Sequence, residues 1–466
     1  MDVRIKFLGA TETVTGSRYI LDIGRTRLMV DCGLFQGLKD LRLRNWALFP
    51  VEADTIDAVL VTHAHIDHVG YLPRLYKEGF RGKIYCTEAS ADLIPMMLAD
   101  SAKLQEEEAE YAARKGFSKH NQPQPLYTQQ DAARITPLLY PVEYDERWVL
   151  NPQVSFTFRD SGHLLGAAII ELWATGDSMT KKIVFSGDLG IAHDPLLYPP
   201  TPIAEADVLL MESTYGDRDR EPNDPAEDLA QAVEEAFAHG GCVVIPSFAV
   251  GRTQTLLHYL KEMFLSGRLQ PCPVYVDSPM ATKATGLYER HLDIYRHHDE
   301  KFSQKGFFEF PTLHFCADQE ESQRINNVRS GAIIISAGGM MAGGRILHHL
   351  YHRLPRPQDT LVIVGYQGEG TRGRRILDGE DSIKIFGEMV PVRCQVKVID
   401  GMSAHADQGE LLDWASHFES APKYTFLVHG EKTSARAFGR LLQAKLGWAQ
   451  VVVPEYLESF SLFEGI

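Results

Sequence analysis

The chain has 466 residues, of which 44% are hydrophobic and 23% charged, and a formal net charge of -15. That length suits two to three globular units at roughly 150 residues each. The acidic balance opposes loose, whole-surface binding of nucleic acid, while leaving room for a local basic cleft. No stretch approaches the ~20 uninterrupted apolar residues that a bilayer span needs. The opening MDVRIKFLGA lacks the apolar run of a signal peptide, so a cytoplasmic protein with no membrane partner is expected. The six cysteines are scattered and form no C-x-x-C pair. Zinc ribbons and redox motifs are therefore not indicated, and a reducing compartment fits.

In chain order, residues 2–8 and 18–31 alternate as strands do, with a turn at Gly24. An apolar strand from Ala58 to Val61 runs straight into Thr62 and His63. Residues 89–115 read as a helix with a charged, solvated surface, and 117–130, polar with two prolines, as a loop. Strand signals return at 154–158, 168–173 and 182–186. Beyond residue 210 the pattern changes: helices at 225–239 and 252–265 alternate with strands at 242–246, 273–276, 332–336 and 360–364. This alternation predicts a mainly parallel sheet with helices on its faces. Further strands are expected at 394–399, 424–428 and 450–453. No fixed-period repeat or low-complexity segment appears.

The strongest chemical signal is Thr62-His63-Ala64-His65-Ile66-Asp67-His68, directly after a strand. Neutral imidazole nitrogens and carboxylate oxygens suit zinc in hydrolytic sites, and also accept manganese or iron. His63 and His65, two apart on an extended stretch, point the same way, while Asp67 and His68 turn toward a second position. A lone histidine is more often a satisfied polar residue; three with a carboxylate in this spacing are not.

That run resembles the signature of the metallo-β-lactamase superfamily. Asp31 in LMVDCG, His163 in SGHLLG and Asp188 in FSGDLG match its other motifs in order. The resemblance implies a zinc-dependent hydrolase: one metal on His63, His65 and His163, the other on Asp67 and His68, Asp188 bridging both, and Asp31 orienting a ligand from behind. It implies two Zn2+, with Mn2+ or Fe2+ as substitutes, holding a bridging hydroxide as nucleophile.

From residue 200 on, the chain resembles the β-CASP branch, whose members process nucleic acids. Glu212 in VLLMESTYG, His405 in GMSAHAD and His429 in FLVHGE match its motifs. The resemblance spans about residues 3–432. It implies an α/β protein: a metallo-β-lactamase αββα sandwich formed by 1–210 and 394–466, interrupted by an α/β insert at 211–393. His429 would complete the second metal's shell, and histidine there goes with RNA-processing members. Catalysis would rest on Asp67, on His405 as donor of a proton to the leaving alkoxide, and on Glu212 raising the His405 pKa.

In the insert, SAGGMMAGGR (Ser336 to Arg345) and SFAVGRTQ (Ser247 to Gln254) are strand-to-helix junctions that suit an anion. Ser247, Arg252, Ser336, Gly338, Gly339 and Arg345 are expected to contact phosphates. Between Ser336 and Arg375 lie six arginines against two acids, Asp359 and Glu369. Arg372, Arg374 and Arg375 are further candidates for backbone contacts, with a solvated surface run as the plain alternative. No aromatic RNA-recognition signature appears, and a compact form without added RNA-binding domains is expected. The resemblance implies a ribonuclease giving 5′-phosphate and 3′-hydroxyl ends, acting internally, from the 5′ end, or both. Two alternatives stay open: a DNA-processing nuclease of the same fold, and a catalytically silent RNA-binding scaffold subunit. A homodimer is compatible with the sequence.

Overall fold

The structure is a computed structural model describing residues 1–115, 123–292 and 306–465. The loop expected over 117–130 falls partly outside them. The chain divides into two compact units, one of residues 1–36, 40–219 and 405–466, the other of 37–39 and 220–404. Among the described residues, no helix is long and apolar enough to cross a membrane.

The first unit is built on two seven-stranded sheets. One runs in the order Ser459–Phe463, Val3–Phe7, Arg18–Ile23, Thr26–Cys32, Ala58–Leu60, Lys83–Thr87, Leu139–Val142; the other runs Val451–Val452, Tyr424–Val428, Val208–Glu212, Thr180–Phe185, Ala168–Thr175, Val154–Asp160, Trp148–Asn151. Alternation along Val3–Phe7 buries Val3, Ile5 and Phe7 and leaves Arg4 exposed, the pattern of a half-buried strand. Those residues pack with Phe156, Phe158, Phe185 and Phe426 in one core between the sheets. A second core lies on the other face of the second sheet, where Leu411, Trp414, Phe438 and Leu442 of two late helices cover Leu209, Met211 and Leu427.

The tail is tied in by pairing and by aromatic packing. Ser459–Phe463 pairs antiparallel with Val3–Phe7, and Tyr424–Val428 pairs parallel with Val208–Glu212. The Phe426 ring lies 5.0 Å from Phe7 and 4.8 Å from Phe460. Burying each such ring is worth roughly 1.5–3 kcal/mol. The pairing matters for function, because it delivers the residue after Val428 to the strand end occupied by Glu212.

The second unit contains a six-stranded sheet, ordered Leu313–Phe315, Val274–Asp277, Ile333–Ala337, Val243–Ser247, Thr360–Ile363, Gln395–Val398, with every pairing parallel. Its central strands are apolar runs buried along their length, as strands covered on both faces must be. Helix starts follow local capping: Asp224 accepts the Ala226 N–H ahead of Pro225, and Ser278 accepts the Ala281 N–H ahead of Pro279.

The units part after residues 219 and 404, whereas the sequence suggested 210 and 393. Val208–Glu212 pairs with Thr180–Phe185 and carries Glu212 into the first unit. Gln395–Val398 pairs with Thr360–Ile363 and so closes the parallel sheet instead of opening the returning segment.

Candidate metal centre

The residues of the candidate centre sit at or just past strand ends of the first unit, in loops between its strands, or on one short helix. The fully buried strand Ala58–Leu60 leads through Val61 and Thr62 to His63. His65 then caps the short helix Ile66–Val69, which carries Asp67 and His68. Gly33 is required beside them, since a Cβ there would lie 1.5 Å from the Asp67 carbonyl oxygen. Asp31 and His429 both adopt left-handed backbone, with φ of 55° and 47°. Such conformations are unfavourable for residues other than glycine and cluster at functional sites.

Four donor atoms converge in a first group. His63 Nε2 is 3.1 Å from His65 Nδ1 and 3.4 Å from Asp188 Oδ2. His163 Nε2 is 3.3 Å from His65 Nδ1 and 3.6 Å from Asp188 Oδ2. Donors around a tetrahedral zinc ion bound at about 2.0–2.1 Å stand about 3.3–3.4 Å apart. The observed separations are those edge lengths, so this donor set fits a cation. Asp67, His68 and His429 make a second group, their ligand atoms all within 4.8 Å of one another. His429 Nε2 is 3.3 Å from Asp67 Oδ2, and His68 Nε2 is 3.4 Å from Asp188 Oδ2. Asp188 therefore faces both groups. Its Oδ1 is buried and makes no hydrogen bond among the described residues, although His429 Nδ1 lies 3.5 Å away.

A polar layer behind the donors fixes their orientation. Asp31 accepts the Thr62 N–H at 2.7 Å and the Thr62 hydroxyl at 2.8 Å, and pairs with His68 Nδ1 at 2.8 Å. An imidazole held through Nδ1 presents Nε2 to a metal, a usual role for a buried carboxylate behind a ligand. Thr62 Oγ1 also lies 3.1 Å from His63 Nδ1. The Thr214 hydroxyl lies 3.1 Å from His429 Nδ1 and 3.0 Å from the His429 carbonyl oxygen. Sequence reasoning singled out neither threonine for the site. Thr62 had a local signal, directly before the first histidine; Thr214 had none.

Electrostatics favour the ligand protonation state at His63, His65, His163 and Asp188. Burial, reinforced by neighbouring histidines, pulls His63 and His163 well below their ordinary range, and burial brings His65 down to about 4. These imidazoles are thus neutral, as coordination requires. Burial pushes Asp188 up, but His429, His68 and His63 outweigh it and hold the carboxyl well below its usual range. His68, between Asp188 and Asp31, is raised despite its burial.

Glu212 and His405 form an adjoining pair. Glu212 is fully buried and accepts the Leu189 N–H at 2.6 Å. Its two oxygens lie 3.3 and 3.2 Å from His405 Nδ1. Burial opposes the charged form of His405, yet the Glu212 charge and hydrogen bond raise its pKa. The His405 ring is 4.6 Å from His163 and 5.7 Å from His429. It also lies within ligand reach of Asp188 and His429.

In the second unit most of the expected phosphate contacts are engaged internally. The Ser247 hydroxyl donates to the Phe248 carbonyl, Ser336 donates to the Asp277 carbonyl, and the Gly338 N–H donates to the Ser247 carbonyl. Gly339 packs against Phe248, whose ring a Cβ there would meet at 2.8 Å. Arg252 is buried, and Arg345 donates to Asp277 at 2.7 Å. Arg372 holds the carbonyls of Met341, Ala342 and Lys384, while Arg374 and Arg375 pair with Asp378 and Glu380. Ser247, Ser336 and Gly338 thus each have a protein partner, as buried polar groups in a parallel sheet do.

Comparison with known proteins agrees with this geometry. Three family models match: Metallo-beta-lactamase superfamily over residues 13–144, Beta-Casp domain over 253–376, and Zn-dependent metallo-hydrolase RNA specificity domain over 389–454. The chain is 38% identical over 444 residues to Ribonuclease TTHA0252 of Thermus thermophilus, covering 94% of this chain and 96% of that protein. It is 32% identical to Transcription termination factor FttA of Methanosarcina mazei, covering 92% of this chain and 67% of that one. A crystal structure of a protein of unknown function from Enterococcus faecalis shares the fold, with a TM-score of 0.53 at 12% identity over 99% of this chain and 100% of that one. The chain belongs to the β-CASP branch of the metallo-β-lactamase superfamily of metallo-hydrolases.

Proposed function

We propose that this protein is a metal-dependent ribonuclease that hydrolyses RNA phosphodiester bonds, internally in the first instance and also in the 5′-to-3′ direction. The observation that carries the reading is the Glu212–His405 pair set against the ligand histidines His163 and His429. Bond cleavage expels an alkoxide, and a histidine kept protonated beside the centre is the acid that alkoxide needs. RNA as substrate is supported by the ribonuclease and termination-factor relatives and by histidine at position 429.

The residues divide the work. His63, His65, His163 and Asp188 would hold one divalent ion, and Asp67, His68, His429 and Asp188 the other, with zinc favoured by the nitrogen-rich donors. Two ions so bound would supply an acidified water and charge compensation at the phosphoryl group. Asp31 and Thr62 hold His68 and His63 in the orientation that ligation requires. Glu212 keeps a proton on His405, and His405 passes one to the departing 3′ oxygen as the P–O bond breaks.

The test is cleavage of one 5′-labelled RNA by the wild type, Asp67→Ala and His405→Ala, with metal content measured on each. Asp67→Ala should lose activity together with metal. His405→Ala should keep metal while its rate falls roughly 10²–10⁴-fold. Intact RNA with the metal-loaded wild type would refute the reading. The size ladder separates internal cutting from stepwise trimming, and a matched DNA strand tests sugar selectivity.

A further inference from the structure

One hairpin of the second unit has an unusual tip. Strands Ser382–Ile385 and Glu388–Pro391 pair antiparallel, with Ile385 opposite Glu388, so the loop is only Phe386 and Gly387. Both have positive φ, 51° and 91°, as a type I′ turn demands. Asparagine, aspartate or glycine normally fills the first position; a phenylalanine there is strained.

Packing accounts for only part of that choice, although the Phe386 ring also lies 6.1 Å from that of Tyr351. Ile383, Ile385 and Val390 on one face of the hairpin are buried in the unit's core. Phe386 is 46% exposed and Met389 59% exposed. The Phe386 ring lies against the exposed His348 of the helix Ile346–Arg353, with centroids 4.6 Å apart and planes inclined by 37°. Burial and the neighbours His349 and His352 pull His348 down, so at neutral pH it is an uncharged ring. Arg372 ties the hairpin to the glycine-rich loop, donating to the Lys384 carbonyl at 2.9 Å and to the Ala342 carbonyl at 2.9 Å. The two aromatic rings therefore stand on a braced platform.

We propose that Phe386 and His348 form a stacking platform for a base of single-stranded RNA. An exposed ring accepts the π-face of any base. The inference rests on the ribonuclease reading and adds a substrate subsite to it.

The variant Phe386→Asn separates stacking from structure, because asparagine suits the turn better than phenylalanine does. Binding of a short, unstructured, fluorescent RNA is measured by anisotropy on the full chain carrying Asp67→Ala, at several salt concentrations. Phe386→Asn should weaken binding roughly tenfold, with an unchanged salt slope because no phosphate contact is lost. Its melting temperature should equal or exceed that of the parent, and Phe386→Trp should restore affinity. Undiminished binding by Phe386→Asn overturns the platform. A lowered melting temperature accompanying weakened binding also overturns it, since Phe386 would then be structural. Failure of the parent to bind RNA overturns the platform, and intact RNA after incubation with the metal-loaded wild type refutes the ribonuclease reading as well.

Discussion

Asp31 Oδ2 lies 2.8 Å from His68 Nδ1, joining a carboxylate at the end of one strand to a ligand 37 positions later in the chain. Asp31 is 1% exposed and also binds both the N–H and the hydroxyl of Thr62. It therefore aligns the residue on each side of the His63–His68 run. Replacing Asp31 with Asn keeps the shape and the tolerance for left-handed backbone but removes the charge facing His68. Affinity for the more weakly held ion should fall about 10–100-fold. Titration calorimetry on metal-stripped protein would show this, and two unchanged binding constants would argue against it.

Thr214 plays the corresponding part for His429. Thr214→Val is nearly isosteric and removes the hydroxyl 3.1 Å from His429 Nδ1. Stability should fall by about 1 kcal/mol. Elemental analysis after dialysis against a weak chelator should find less than the full complement of metal. Retention of metal equal to the wild type would show that the left-handed backbone alone orients the ring.

Asp277 is the buried acid of the second unit. It has no exposed surface and accepts from Arg345 Nη1 at 2.7 Å, His349 Nε2 at 2.7 Å and Ser322 Oγ at 2.6 Å. Burial pushes its carboxyl up, but these hydrogen bonds, His349 first, hold it below the ordinary range. Asp277→Ala would strand two basic side chains, one of them fully enclosed, at a cost of about 3–5 kcal/mol. A urea midpoint within error of the wild type would contradict this account.

Asp160 gives a pH signature of the opposite sign. Burial raises its carboxyl from 3.8 to about 7; the Gly162 N–H opposes the shift and Asp145 adds to it. The folded state then binds the proton more tightly than the unfolded state does. This contribution is complete below the unfolded value and is lost as pH rises through about 7. Asp160→Asn should therefore be more stable than the wild type by a margin that widens by on the order of 1 kcal/mol from pH 6 to pH 8. A pH-independent difference in urea unfolding would exclude it.

The site was legible to the extent that its signals were local. His63, His65, Asp67 and His68 lie within six positions, and Asp31, His163, Asp188, Glu212, His405 and His429 each stand in a short motif. The structure gathers all ten in one unit. The phosphate contacts read from the second unit rest on a weaker signal, because an arginine or serine beside a glycine-rich turn looks the same whether it faces an anion or a carbonyl. Arg345 finds Asp277 across 68 positions and Arg372 finds Ala342 across 30, and no window of sequence contains such pairs.

By itself the sequence determined the fold family, most of the order of strands and helices, and the set of candidate metal donors, since hydrophobic periodicity and ligand spacing are properties of neighbouring residues. Tertiary structure alone decided which sheet owns Gln395–Val398, which hydroxyls hold the ligand imidazoles, and how His429 comes beside Asp67, 362 positions earlier. Those outcomes depend on strand pairing and on burial. A buried polar group takes whichever partner the completed fold brings within hydrogen-bonding distance.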